Sequence, residues 1–219
     1  MMTSLFSTFD PATNKLMIQG NWIIMITTMM ILPKWFWTKK SRMNMLMKMM
    51  EKKLMNEFKS MTHHKDILIM TMSMFLFIMT NNMMGLIPYI FTSTSHISIS
   101  LSIALPSWMM IMMYGWMNFT NEMFKHLLPK GTPTAISPMM ILIETTGNLI
   151  RPISLSVRLT ANMIAGHLLM TLLGNTSSIK LIMMIMPIQM ILMMFETAIS
   201  MIQAYVFSTL ITLYSSEIT

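Results

Sequence analysis

Few residue types in this chain can do chemistry, and they gather in two runs. The first holds Glu144, Arg151, Arg158, Asn162 and His167; the second holds Gln189, Glu196 and Gln203, with Glu217 after them. The sequence contains no cysteine, which excludes a thiol nucleophile, a thiolate metal site and a disulfide framework. Proton transfer remains open to it. Histidine titrates near neutral pH, as His167 would, and the carboxyls of Glu144 and Glu196 can be brought into that range by apolar surroundings. Arginine does the opposite: its guanidinium stays protonated, so Arg158 attracts a carboxylate but cannot hand a proton on.

The spacing orders these groups. Glu144, Arg151 and Arg158 recur every seven residues, which on a regular helix places them on one face within about 40°. Asn148, Leu155 and Asn162 fill the i+4 positions between them, and Gln189, Glu196 and Gln203 repeat at the same interval with Ser200 inside it. A turn near residue 176 brings Arg158 level with residues 196–203. By helical rise, His167 then lies about 13 Å beyond Arg158 and Glu144 about 21 Å before it. One fixed positive charge thus divides two sets of titratable groups, and protons pass it only on something that moves. Plainer roles compete: a snorkelling arginine, a packed histidine, a buried partner at Glu196, an interhelical tie at Gln203, an interfacial acid at Glu144. Matched polar stripes in apolar surroundings weigh against them, because an arginine at the bilayer centre costs about 2.5–3.5 kcal/mol on insertion scales.

The elements that position these residues are membrane helices. Of 219 residues 54% are hydrophobic and 11% charged, with mean hydropathy +0.59, whereas soluble domains carry about 25% charged residues. Apolar runs of about 20 residues indicate helices and not a barrel. The net charge of +7 is concentrated in the block Lys34–Lys65 between apolar spans. That is positive-inside asymmetry, and no nucleic acid is expected as a partner. The 36 methionines offer thioethers for copper(I) in principle, but they are spread over nearly every segment, as apolar filler or a codon bias would be. No metal and no cofactor is expected. Residues Met1–Asn14 carry no recognisable targeting signal.

The expected organisation is a single all-α integral membrane domain over residues 1–219. It begins with a transmembrane helix over 16–33, closed by Pro33 and an aromatic and lysine border. An amphipathic helix over 39–62 follows on the membrane surface, a solvated basic loop being the alternative. Transmembrane helices are expected over 67–88 and 97–119, the second kinked by Pro106. Residues 135–174 and 178–215 would each be about 55–60 Å long as one helix, nearly twice the ~30 Å hydrocarbon core. Either each breaks into two spans or the pair forms a strongly tilted hairpin, and the lack of a charged loop at any break favours the hairpin.

At Ile143-Glu144, at Arg158-Leu159-Thr160-Ala161-Asn162 through Ala165-Gly166-His167, and at Gln203-Ala204-Tyr205-Val206-Phe207, the chain resembles subunit a of the F-type ATP synthase in its mitochondrially encoded animal form. Asn82 to Pro88 and His126 to Pro133 support the resemblance, which covers nearly the whole chain. It implies a multi-pass protein of the mitochondrial inner membrane with both termini in the intermembrane space. It implies a hairpin facing the rotating c-ring, other membrane-sector and peripheral-stalk subunits as partners in the lipid bilayer, and no covalent chemistry by the chain itself. Arg158 matches the arginine that meets the ring carboxylate. Asn162, His167, Glu196 and Glu217 match the half-channel from the intermembrane space, Glu144 the matrix half-channel, and Gln203 a neighbour of the arginine. Position 151 departs from the pattern, with Arg where vertebrate members carry Gln. A scaffold subunit without an ion path, and a self-contained channel or antiporter, are the competing readings.

Overall fold

Long apolar runs interrupted by few charges form helices throughout the computed structural model, which describes residues 5–12, 19–31, 41–62, 65–88, 90–128, 133, 136–176 and 182–218. Among these, seven α-helices follow in order: α1 (Ile23–Ile31), α2 (Arg42–Met61), α3 (Lys65–Gly85), α4 (Ile97–Asn118), α5 (Thr120–Leu127), α6 (Ser137–Asn175) and α7 (Ile182–Ile218). Short 3₁₀ turns stand at Leu5–Phe9, Gly20–Trp22 and Ser93–Ser95. Among the described residues four segments are long and apolar enough to cross a membrane: Asp66–Gly85, Ile97–Asn118, Ser137–Asn175 and Met183–Ser216. The all-α membrane architecture expected from composition is therefore the one found. Of the first expected span, only 19–31 belong to the described residues, and α1 occupies part of them.

The helices approach one another through small side chains. Thr71, Ser100, Ser107, Ser156, Thr160, Ser208 and Thr212 are buried, and each hydroxyl donates to a carbonyl three or four residues earlier on its own helix. Such residues satisfy their own polar groups and leave room for a neighbouring backbone, as membrane helix contacts require. Around them Phe75, Ile78, Ala104, Ile111, Leu155, Leu159, Phe207 and Ile211 form the core shared by α3, α4, α6 and α7. Thr28 of α1 ties to Asn81 of α3 at 2.9 Å. Ser41 caps α2 by accepting the Asn44 N–H at 3.3 Å. One face of α2 buries Phe58 beside Phe75 and Tyr205, while Met45, Leu46, Met49 and Met50 are exposed.

Helices α6 and α7 run unbroken for 39 and 37 residues, on the order of 58 and 55 Å by helical rise. They are antiparallel, with Asn162 against Gln203, Gly166 against Glu196 and Arg151 against Tyr214. The direction of α7 corrects one expectation. Its later turns meet α2, Tyr205 reaching Glu57 and Thr212 reaching Met61, whereas Phe9 is bound to His96 at the far end of α3 and α4. The two ends of the described chain lie at opposite ends of the bundle, because each long helix reverses the one before it.

Candidate functional site

On α6 the buried residues Leu155, Ser156, Leu159, Thr160 and Met163 face the bundle, so the helical period turns Val157, Arg158, Ala161, Asn162 and Ala165 outward. Arg158 is exposed there and makes no hydrogen bond or ion pair with any described residue. Ser154, Ala161 and Ala165 surround it on the same face, leaving the backbone open to close approach by another helix. The outward face of α7 is broadly apolar: Met183, Met190, Ile191, Met194 and Phe195 are all exposed.

Beside that face α3, α6 and α7 line an open cavity of about 160 Å³, bordered by Asn82, Asn162, His167, Glu196, Ser200 and Gln203 among apolar side chains and reaching the outer face at Ala165 and Phe195. Asn162 Nδ2 donates to Gln203 Oε1 at 3.1 Å, joining the two helices. Four buried atoms of this lining, Asn82 Oδ1, His167 Nε2, Glu196 Oε1 and Gln203 Nε2, have no hydrogen-bond partner among the described residues. A buried polar atom left unbonded costs about 1–3 kcal/mol, so four on one cavity mark it as built for polar occupants. Several waters fit, since one takes about 30 Å³ of liquid.

A wider vestibule of about 730 Å³ opens at the Phe9 end and includes Asp10, Asn21 and Gln189. Leu86, His167 and Glu196 line both spaces; the imidazole and the carboxyl are the polar part of the partition. Gly166 allows this arrangement, because a Cβ there would stand 2.9 Å from the Glu196 carboxyl carbon and from Oε1.

Toward the other end of the hairpin the acid and base groups are paired. Arg151 Nη2 lies 3.7 Å from Glu144 Oε1, and its guanidinium carbon stands 4.8 Å from the centroid of the Tyr214 ring. Both charged side chains are substantially exposed, at 33% and 42%.

The sequence profile of the ATP synthase A chain matches residues 16–216. ATP synthase subunit a of Locusta migratoria is 52% identical over 226 residues, covering 100% of both chains. The proteins of the same name from Anopheles gambiae and Drosophila melanogaster are 46% and 47% identical, again over 100% of each chain. This chain belongs to the ATP synthase A chain family. The family resemblance drawn from its motifs is thereby established, over the same length of chain.

Within this member of the family the fold brings together Asn162, His167, Glu196 and Gln203, sets Arg158 one turn from Asn162 on the outer face, and holds Glu144 in a separate pair with Arg151. Glu217 does not join the first group. It lies 21 residues after Glu196 on α7, about 31 Å by helical rise, at the α2 end; its side chain lies outside the described residues. Asn82, Phe9 and Asp10 were not expected at the site. Asn82 had a signal, an amide in the last third of an apolar span, but its partner helices were legible only once α3 packed on α7.

Proposed function

We propose that this chain is the proton-translocating stator subunit of a mitochondrial inner-membrane ATP synthase, working against a rotating ring of membrane carboxylates. The observation that carries the reading is an arginine exposed on the hairpin's outer face with no counter-charge among the described residues, one helical turn from a cavity bearing four polar atoms that have no partner among them. A guanidinium in apolar surroundings needs an anion. The face around Arg158, flanked by small residues, suits a carboxylate presented by an adjacent helix.

The path follows from the two spaces. A proton enters the vestibule at the Phe9 end, is relayed across the partition by His167 and Glu196, and crosses the inner cavity beside Asn162 and Gln203 to a carboxylate on the ring. Neutralised, that carboxyl can face lipid, whereas a charged one cannot. When it returns to Arg158 it ionises against the guanidinium, and its proton leaves toward Glu144. The membrane potential drives each charge by about 2.3 kcal/mol per 100 mV. The chain itself forms and breaks no covalent bond other than those to protons. The lysine-rich α2 end belongs on the matrix side by positive-inside asymmetry. The Phe9 end then faces the intermembrane space and α7 ends toward the matrix. The hairpin lies oblique to the membrane, since neither helix fits the ~30 Å core upright.

Arg158→Lys tests the reading in the assembled complex reconstituted into vesicles. Lysine keeps the charge but is a compact point donor without the planar fork. Synthesis driven by an imposed proton gradient should be lost while the complex remains assembled. A scaffold subunit would retain the full rate. Proton conduction by the isolated chain would instead establish a self-contained channel.

A further inference from the structure

Residues 5–12 cross the mouth of the vestibule as a short strap. The 3₁₀ turn Leu5–Phe9 is followed by a tight turn in which Asp10 Oδ1 accepts the Ala12 N–H at 3.0 Å. His96 fastens the strap, its Nε2 lying 2.9 Å from the Phe9 carbonyl oxygen. A carbonyl only accepts, so this contact fixes His96 with its proton on Nε2. The His96 ring is itself packed in a three-ring cluster with Trp22 and Phe91, at centroid distances of 5.2 and 5.4 Å. From this anchored carbonyl the Phe9 ring extends to His167 and meets it edge to face, 6.2 Å between centroids at 90°. Thr8, Phe9, Asp10 and Ala12 all line the vestibule.

The contact falls on an imidazole whose Nε2 has no hydrogen-bond partner among the described residues. The ring is held by a hydrogen bond to the Gly85 backbone and, on its Nε2 side, by the packing of its neighbours, Phe9 among them, and it stands in the partition between the two spaces. We propose that the strap of residues 5–12 is a working wall of the inlet, with Phe9 as a positioning residue that holds the His167 ring across the partition. His96 acts one step further out, as the fastening of the strap. This inference rests on the proton-path reading above.

The test uses the assembled complex in vesicles, comparing gradient-driven synthesis per assembled complex for Phe9→Ala, Phe9→Tyr, His96→Leu and Arg158→Lys. An edge-to-face aromatic contact is weak, so Phe9→Ala should lower the rate about two- to tenfold. Phe9→Tyr, which restores the ring, should recover the wild-type rate, and His96→Leu should reproduce the loss by releasing the carbonyl. If Phe9→Ala reduces assembly, Phe9→Leu decides: it keeps apolar bulk without a ring, so a persisting loss supports the proposal and a wild-type rate overturns it. Inactive Arg158→Lys beside fully active Phe9→Ala overturns the strap proposal alone. Fully active Arg158→Lys overturns the proton-path reading beneath it.

Discussion

The two halves of the α6 and α7 hairpin treat polar groups in opposite ways. Toward the Phe9 end, Glu196 and Gln203 are buried, and four polar atoms face a shared cavity without partners among the described residues. Toward the α2 end, Glu144 and Arg151 are substantially exposed and paired with each other, and Arg151 also lies over Tyr214. The two halves carry similar residue types at similar spacing. Enclosure distinguishes them, because buried groups without partners must be hydrated to be tolerated, whereas exposed paired groups hold no defined path. Arg158 stands between the halves and belongs to neither. The Phe9 half is thus a cavity fit for water and the α2 half a charged surface; on the proposed proton path they are the entry and the exit.

The sharpest way to break this comparison is Glu196→Gln. The amide keeps the shape of the side chain, so the complex should assemble, but it cannot take up and release a proton. Gradient-driven synthesis should fall about a hundredfold, the lower range for a positioned proton-transfer group. An unchanged rate would reduce the enclosed half to packing.

Valine introduced at Gly166 and at Gly147 probes enclosure itself. At Gly166 the added carbons collide with the Glu196 carboxyl, 2.9 Å from the Cβ position, while at Gly147 nothing lies within 4 Å. Overpacking costs about 1–3 kcal/mol, which predicts about a tenfold loss of synthesis for Gly166→Val. Gly147→Val should leave the rate within about twofold, there being no neighbour to displace. Gly166→Ala should fall between, since the end of the Glu196 side chain can yield. Equal effects at both glycines would erase the distinction between the halves.

How much of this was written in the chain differs between the same two regions. The seven-residue spacing put Glu144 and Arg151 on one face, where they lie 3.7 Å apart, whereas the turn placed near residue 176 set Arg158 level with residues 196–203 and in the structure it is Asn162, one turn further on, that meets Gln203. Both relations depend on one helix or on one antiparallel pair, which periodicity reports to within a turn. The cavity was not legible in that way. It needs Asn82 from α3 and a vestibule wall from residues 8–12, brought together only by tertiary packing. Nor does composition report that α7 returns toward α2, which puts the ends of the described chain at opposite ends of the bundle and Glu217 at the α2 end; that is a matter of helix direction.

The effect expected at Arg151 is small, and it sharpens the comparison most. If the exit half is only a charged surface, its contacts are individually weak: an exposed ion pair contributes about 0–1 kcal/mol and an exposed cation over an aromatic ring about 0.5–1 kcal/mol. Arg151→Gln removes both contacts and keeps a polar side chain of similar length. Synthesis should then fall by no more than about fivefold, with assembly unchanged. Combining it with Tyr214→Leu should add little, because the ring and the carboxylate share the one guanidinium and the first substitution has already separated them. A loss as large as that of Glu196→Gln would instead give the exit half a defined path of its own. Arg151 would then be a second fixed charge on the proton's route and not merely a partner that keeps Glu144 in place.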